Sequence, residues 1–171
     1  MRVNAFAVHE QVRVHRRLEM LKALAKTGLP IHLVGGGYDR DLYRFKSMVH
    51  LGERPLPAVV AMMRSAKVVL SVNANFGQGS HERPLSAMLA GAAAATDGSA
   101  FYDDAFAADE IIQLSWTHLG RDLEALGRLM QDPAALHRTA VAGQARASAA
   151  HRWDHRVGAI LRAAEAVRQP A

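Results

Sequence analysis

The sequence contains no cysteine and no long apolar run. The lack of cysteine excludes a disulfide scaffold, a cysteine-ligated zinc site and catalysis by a thiol. Because no apolar stretch approaches the roughly 18 residues that a transmembrane helix requires, we expect no membrane span. The apolar start of the chain is also too short for a signal peptide, so we expect a cytoplasmic protein.

The composition is that of a folded domain with a positive net charge. Half of the 171 residues are hydrophobic, which excludes intrinsic disorder, and the length fits one domain over residues 1–171. A net charge of +5 suits an anionic ligand. The basic residues are scattered and no known nucleic-acid-binding pattern is present, so we expect no nucleic-acid partner.

Short apolar runs alternate with amphipathic segments along the chain. Strands are predicted at Val3–Val8, Ile31–Val34, Met48–Leu51, Lys67–Val72, Ala92–Thr96 and Ile111–Leu114. Helices are predicted over 10–27, 55–64 and 83–90, and in two or three segments between about 118 and 168. This alternation predicts an α/β fold, in which a mostly parallel sheet carries helices on both faces.

Two loops leave the carboxyl ends of predicted strands, where open α/β sheets bind their ligands. The first contains three consecutive glycines, Gly35–Gly37. Glycine lets backbone N–H groups approach a phosphate, but it also serves any tight turn that needs a positive φ. The dinucleotide-binding pattern G-x-G-x-x-G has Arg40 at its third glycine position here, so both interpretations stay open.

The second loop, Asn73–Arg83, joins the most apolar strand to a helix and is rich in polar side chains. A helix N-terminus offers unpaired N–H groups and a positive dipole end. Arg83 can bond two phosphate oxygens at once, and Ser80 and His81 can donate to a sugar or a phosphate. The alternative is that Ser80 and Glu82 only cap the helix. We favour ligand binding, because polar loops held by rigid elements often carry function.

Other reactive constellations are weaker. His151 and His155 have the four-residue spacing of metal ligands on a helix, but no third ligand is evident and the start of a surface helix is favoured. The adjacent Asp103 and Asp104 are better explained by a solvated loop or a cap than by an acid pair. No G-x-S-x-G pattern is present to suggest a serine nucleophile.

Together these segments resemble the group 1 glycosyltransferases of the GT-B fold, in particular the spore-maturation, CgeB-like branch. The resemblance is carried by Ser-His-Glu-Arg-Pro-Leu-Ser-Ala-Met-Leu-Ala-Gly from Ser80 to Gly91, followed by small residues and Thr96-Asp97. Further segments stand in the family's order: Val34–Tyr38, Leu51-Gly52, Asp132-Pro133 and His151–Arg156. The resemblance spans nearly the whole chain and implies the C-terminal, Rossmann-like half, which binds a nucleotide-sugar donor.

The resemblance also implies three groups of donor-binding residues. Those on the diphosphate side are Ser80, His81, Glu82 and Arg83, with Arg16 and Arg17 from the first helix. Those on the nucleotide side are Gly35, Gly36, Gly37, Gly52, Glu53 and Ser86. Those on the sugar side are Asn73, Asn75, Gly77 and Gln78. No metal or other cofactor is implied, because enzymes of this type usually need none.

Two departures from the family pattern bear on function. Retaining members commonly carry two glutamates eight positions apart, where this sequence has Gln78 and Ser86, so neither ribose binding by a carboxylate nor a retaining outcome is implied. A GT-B enzyme also needs an N-terminal domain that binds the acceptor, and 171 residues leave no room for it. We expect that domain in a longer protein or in a partner chain.

The sequence as a whole favours a donor-binding domain that acts in sugar transfer and is inactive alone. Two other classes stay open. A non-catalytic α/β module that binds a protein partner is favoured by Gln78 and Ser86 at the glutamate positions. A nucleic-acid-binding domain is favoured only by the charge, and its affinity would fall steeply with salt while depending little on Arg83.

Overall fold

The computed structural model describes residues 5–36, 40–73 and 77–168, in which strands and helices alternate. The strands are β1 (Ile31–Val34), β2 (Met48–Gly52), β3 (Val68–Ser71), β4 (Ala93–Asp97) and β5 (Ile112–Leu114). The helices are α1 (Ala5–Ala25), α2 (Leu56–Ser65), α3 (Glu82–Leu89), α4 (Ala100–Ala105), α5 (Leu119–Met130), α6 (Pro133–Ala150) and α7 (Trp153–Arg168). A 3₁₀ helix, Arg40–Arg44, lies between β1 and β2. None of the described helices combines the length and the apolar character needed to cross a bilayer.

The described strands pair in parallel. β1 pairs with β2, and β3, β4 and β5 form a second sheet with β4 at its centre. The α/β class with mostly parallel strands is therefore confirmed, although the five described strands form two short sheets instead of one. Within each sheet the carboxyl ends lie at a common edge, so the loops that follow neighbouring strands can meet.

Helices pack against both sides of the second sheet, as the hydrophobic pattern predicts. Ala94 of β4 shares an apolar cluster with Met88 of α3 and Ala147 of α6. Met20 of α1 belongs to a second cluster, which contains Leu114 of β5 together with residues of α5. β4 is buried along its whole length because its small side chains let the covering helices approach closely.

The strand predicted at Val3–Val8 is wrong over its described part. Residues 5–8 form the first turn of α1, and residues 1–4 lie outside the described residues. Val8 is 51% exposed, so this apolar side chain is not buried as the predicted strand would require. A helix satisfies its backbone hydrogen bonds locally, whereas a strand needs a neighbour to pair with.

The other predicted strands coincide with β1–β5 to within a residue or two. The cap predicted at Asp132 is confirmed, since its Oδ1 accepts a hydrogen bond from the backbone N–H of Ala135 at 2.9 Å. The short helix α4 was not predicted. Its residues Asp103 and Asp104 were assigned to a loop or a cap, but Tyr102, which is fully buried, anchors this helix to the core.

Candidate functional site

A buried carboxylate lies where β3 and β4 end. The side chain of Asp97, the last residue of β4, is 2% exposed. Its Oδ1 accepts a hydrogen bond from the backbone N–H of Asn73, and its Oδ2 accepts one from the indole N–H of Trp116 at 3.1 Å. Two N–H donors thus satisfy both oxygens of this buried side chain. Asp97 thereby joins the loop after β3 to the segment after β5.

The loop after β3 is held at several further points. The side-chain amide of Asn73 donates to the carbonyl of Gly79 at 3.1 Å, and the carbonyl of Gly77 accepts from the N–H of Ala100 at 3.1 Å. Gln78 is exposed. Of the residues predicted on the sugar side, Asn73, Gly77 and Gln78 lie on one loop beside the start of α4, while Asn75 lies outside the described residues.

Helix α3 begins at Glu82, and its N-cap is His81 instead of Ser80. The backbone N–H of His81 donates to the hydroxyl of Tyr102 at 3.3 Å. Burial raises the pKa of the Tyr102 phenol, so the hydroxyl keeps its proton at neutral pH. The N-cap position considered for Ser80 is thus occupied by His81, and the hydroxyl of Tyr102 in α4 fixes the backbone at the start of α3.

His81, Glu82 and Arg83 form a connected group of side chains. Nε2 of His81 lies 2.9 Å from Nη2 of Arg83, and Nδ1 of His81 lies 2.7 Å from Oε2 of Glu82. Burial lowers the pKa of His81, and the charge of Arg83 lowers it further, against an opposing effect of Glu82. The imidazole is therefore neutral at pH 7.

Two arginines of α1 reach the same end of the sheet. The guanidinium of Arg16 lies over the ring of Trp116, 5.8 Å from its centroid. The positive charge of Arg17 contributes to the lowered pKa of His81, so the two side chains lie close enough to interact electrostatically. Of the two arginines that the prediction grouped with the start of α3, Arg17 thus lies near enough to His81 to affect its pKa, and Arg16 contacts Trp116.

The loops after β1 and β2 also meet. The N–H of Gly35 donates to the carbonyl of Gly52 at 2.9 Å, and both glycines have a positive φ, at +114° and +68°. A Cβ on Gly36 would lie 2.8 Å from Oε1 of Glu53. The positive φ favours glycine at positions 35 and 52, and the carboxylate of the exposed Glu53 lies beside the backbone of Gly36.

Two predicted nucleotide-side residues remain to be placed. Gly37 lies outside the described residues. Ser86 is half-buried on α3, one turn beyond Arg83, and its membership of the nucleotide-side group stays a prediction.

Three residues of this region were not singled out from the sequence: Asp97, Tyr102 and Trp116. Asp97 had a usable signal, because it directly follows the predicted strand Ala92–Thr96 and carboxyl ends of strands carry ligand sites. Tyr102 and Trp116 had none, since their roles depend on contacts with distant segments.

The metal-ligand spacing of His151 and His155 has a different structural basis. The ring of His151 stacks on Phe106 with 5.0 Å between centroids. Nδ1 of His155 accepts a hydrogen bond from the backbone N–H of Arg152 at 3.3 Å. Across residues 5–36, 40–73 and 77–168, no three His, Asp or Glu side chains converge as a metal site would require.

Comparison with known proteins adds one finding. A model of a family described as glycosyl transferase-like matches residues 16–162, a range that includes every described residue of the candidate site. That range is well over half of the chain. A search of curated proteins found no match.

Proposed function

The chain belongs to the glycosyl transferase-like family, and we propose that it is the donor-binding half of a GT-B enzyme, which binds a nucleotide diphosphate-sugar. The observation that carries the proposal is the position of Arg83 in the first turn of α3, directly after the polar loop that leaves β3. The reaction is transfer of the sugar to an acceptor, which a second domain or a partner chain binds.

The role of Arg83 follows from charge. One further negative charge develops on the diphosphate as its bond to the sugar breaks, and it is stabilised by donors already in position. The N-terminus of α3 supplies backbone N–H groups and a positive dipole end, and the guanidinium adds two parallel hydrogen bonds. Arg16 and Arg17 add positive potential from α1, and Ser80 adds a hydroxyl at the end of the loop.

The nucleotide lies, in this proposal, beside the loops after β1 and β2. Gly35 and Gly36 leave backbone groups open to close approach, because they carry no side chain. The carboxylate of Glu53, next to Gly36, accepts hydrogen bonds from hydroxyl or amino groups of the nucleoside. The sugar faces Asn73, Gly77 and Gln78 on the loop after β3.

The test is calorimetric titration of the chain with UDP, GDP and dTDP, alone and with Arg83→Ala. We expect one nucleotide to bind and the variant to bind it at least tenfold more weakly, roughly 1.4 kcal/mol. Arg138→Ala, which removes an exposed arginine of α6, is the matched control and should leave affinity unchanged.

Equal binding by the Arg83→Ala variant would contradict the proposal. Steeply salt-dependent binding of oligonucleotides, indifferent to Arg83, would favour the nucleic-acid alternative instead. No binding of any nucleotide would favour a protein-interaction module, the class to which Gln78 and Ser86 also point.

The second part of the proposal concerns activity. The chain alone should transfer no sugar from UDP-, GDP- or dTDP-glucose to added acceptors, because the acceptor-binding domain is supplied elsewhere. Mass spectrometry of the reaction products checks this, and any glycosylated product made by the chain alone would overturn it.

A further inference from the structure

We propose that His81 is a positioning residue: its neutral ring, protonated on Nδ1, accepts a hydrogen bond from the guanidinium of Arg83 and holds it in place for the diphosphate. The inference rests on the proposed function, because it concerns the arginine that function assigns to the diphosphate. It gives His81 a role other than direct contact with the ligand.

The tautomer follows from the atoms that face the ring. Guanidinium nitrogens only donate, so Nε2, which lies 2.9 Å from Nη2 of Arg83, must be the acceptor. Carboxylate oxygens only accept, so Nδ1, which lies 2.7 Å from Oε2 of Glu82, must carry the hydrogen. One neutral tautomer satisfies both contacts, and both are charge-assisted.

The other tautomer satisfies neither of these contacts. Its Nε2–H would face the N–H groups of Arg83, and its Nδ1 lone pair would face the carboxylate of Glu82. From Arg83 it would gain the backbone N–H, which points at Nδ1 from 3.4 Å, near the outer limit of a hydrogen bond. The two short contacts therefore outweigh the long one.

The surroundings keep the ring neutral and fixed. Arg83 from α3 and Arg17 from α1 oppose its protonation, together with its burial, while Glu82 favours it. The hydroxyl of the buried Tyr102 in α4 accepts from the backbone N–H of His81 and so fixes the residue at its base. A ring held in this way restricts the guanidinium that donates to it.

The effect of His81 protonation on affinity distinguishes a ring that acts as a nearby charge from a ring that positions Arg83. If the ring acted only as a nearby charge, its protonation would tighten the binding of an anion. If it positions Arg83, protonation removes the acceptor at Nε2, sets two cations against each other and weakens binding. Affinity should then fall as the pH drops from about 6.5 to 5, within the range where histidine titrates.

Two variants divide the functions of the ring nitrogens. The side-chain oxygen of His81→Gln occupies the region of Nε2 and can accept from Arg83. The shorter side chain of His81→Asn can donate to Glu82, as the Nδ1–H of histidine does, but cannot reach the guanidinium. At pH 7.5 we expect affinity about tenfold weaker for Asn and within about threefold of wild type for Gln, the size of one charge-assisted hydrogen bond.

The probes are UDP-glucose, GDP-glucose and dTDP-glucose, whose diphosphate diesters do not titrate between pH 5 and 8. Affinity is measured by calorimetry across that range for wild type and both variants. Wild type should show the loss of affinity in acid, while both variants should give flat profiles. Urea denaturation of each variant establishes that it is folded.

A second readout needs no ligand. Long-range proton–nitrogen NMR spectra distinguish the two imidazole tautomers, and the His81 signals are identified by their loss in the variants. We expect the Nδ1–H form. The Nε2–H form, tighter binding in acid, or equal affinities of the Asn and Gln variants would each overturn the inference.

The two levels of the proposal fail in different ways. If wild type binds no nucleotide-sugar, or if Arg83→Ala binds as well as wild type, the proposed function falls and this inference with it. If binding depends on Arg83 but His81→Asn matches wild type at every pH, only the inference falls.

Discussion

At the residue scale, Asp97 joins the loop after β3 to the segment after β5. It accepts hydrogen bonds from Asn73 and Trp116, and Trp116 in turn lies beneath Arg16. Asp97→Asn replaces an acceptor oxygen with a donor that faces an N–H group, so one buried donor loses its partner. We expect the free energy of unfolding to fall by about 1–3 kcal/mol.

Urea denaturation measures this change. Asp104→Asn, which makes the same replacement at an exposed position of α4, should alter stability by less than about 0.5 kcal/mol. Equal effects of the two substitutions would show that the hydrogen bonds of Asp97 contribute nothing to folding.

Gly143 gives a second prediction at this scale. A Cβ at this buried position of α6 would lie 2.5 Å from the carbonyl oxygen of Glu110, a backbone atom that cannot rotate away. Gly143→Ala should therefore destabilise the protein by about 1–3 kcal/mol. In α5 a Cβ on Gly127 would meet no atom within 4 Å, so Gly127→Ala should stabilise by about 0.5–1 kcal/mol.

Both substitutions replace glycine by alanine within a helix, so helix propensity favours each equally. Thermal and urea denaturation of the pair therefore isolate the contact with Glu110. A stabilised Gly143→Ala protein would contradict the close approach of α6 to that carbonyl.

At the element scale, α6 shows how a local signal sets a helix end. Asp132 caps the first turn through Ala135, and Pro133 follows at the first helical position. Asp132→Ala should cost about 1 kcal/mol of stability, because one N–H loses its acceptor. Asp132→Asn should retain most of that stability, because its side-chain oxygen can still accept from Ala135. If Asp132→Asn lowers the free energy of unfolding as much as Asp132→Ala does, the charge of Asp132 and not its capping bond stabilises the helix.

Helix α7 shows what a helical period leaves undecided. Val157, Ile160 and Leu161 recur at helical spacing, and the helix predicted there exists. Yet these side chains are 49%, 63% and 57% exposed, so the stripe does not face the core of this chain. Periodicity fixes which side chains share a face, whereas burial depends on which other element covers that face.

At the scale of the whole molecule, two partly buried histidines couple stability to pH. Burial lowers the pKa of His81 and of His151 below the unfolded value of about 6.5. Below that pH the unfolded chain binds more protons than the folded one, so the free energy of unfolding falls as the pH falls. The stability contributed by the two neutral rings should be fully lost once the pH lies below the pKa values of both histidines in the folded protein.

Urea denaturation between pH 8 and pH 3 checks this prediction. His151→Gln should flatten the decline, because it removes one of the two groups that must take up a proton. A second decline should begin near pH 4, where Asp122, whose pKa is lowered by the N–H of Ser115, becomes protonated in the unfolded chain. Stability that rises from pH 7 to pH 5 would contradict the assignment of neutral, partly buried rings.

The sequence by itself determined the class of the fold, the positions of β1–β5, the cap at Asp132 and the resemblance to glycosyltransferases. These features are local, because strand periods, caps and motif order are written in neighbouring residues. It also selected Arg83, since a polar loop ending at a helix start is visible along the chain.

Tertiary structure alone decided how the site is joined together. Asp97 bonds residues 24 positions before it and 19 after it, and no local pattern specifies such partners. The start of α3 is likewise fixed from a distance, because the backbone N–H of His81 donates to the hydroxyl of Tyr102, which lies 21 residues further along the chain. Such contacts form only when distant segments pack, so they follow from the fold and not from the pattern.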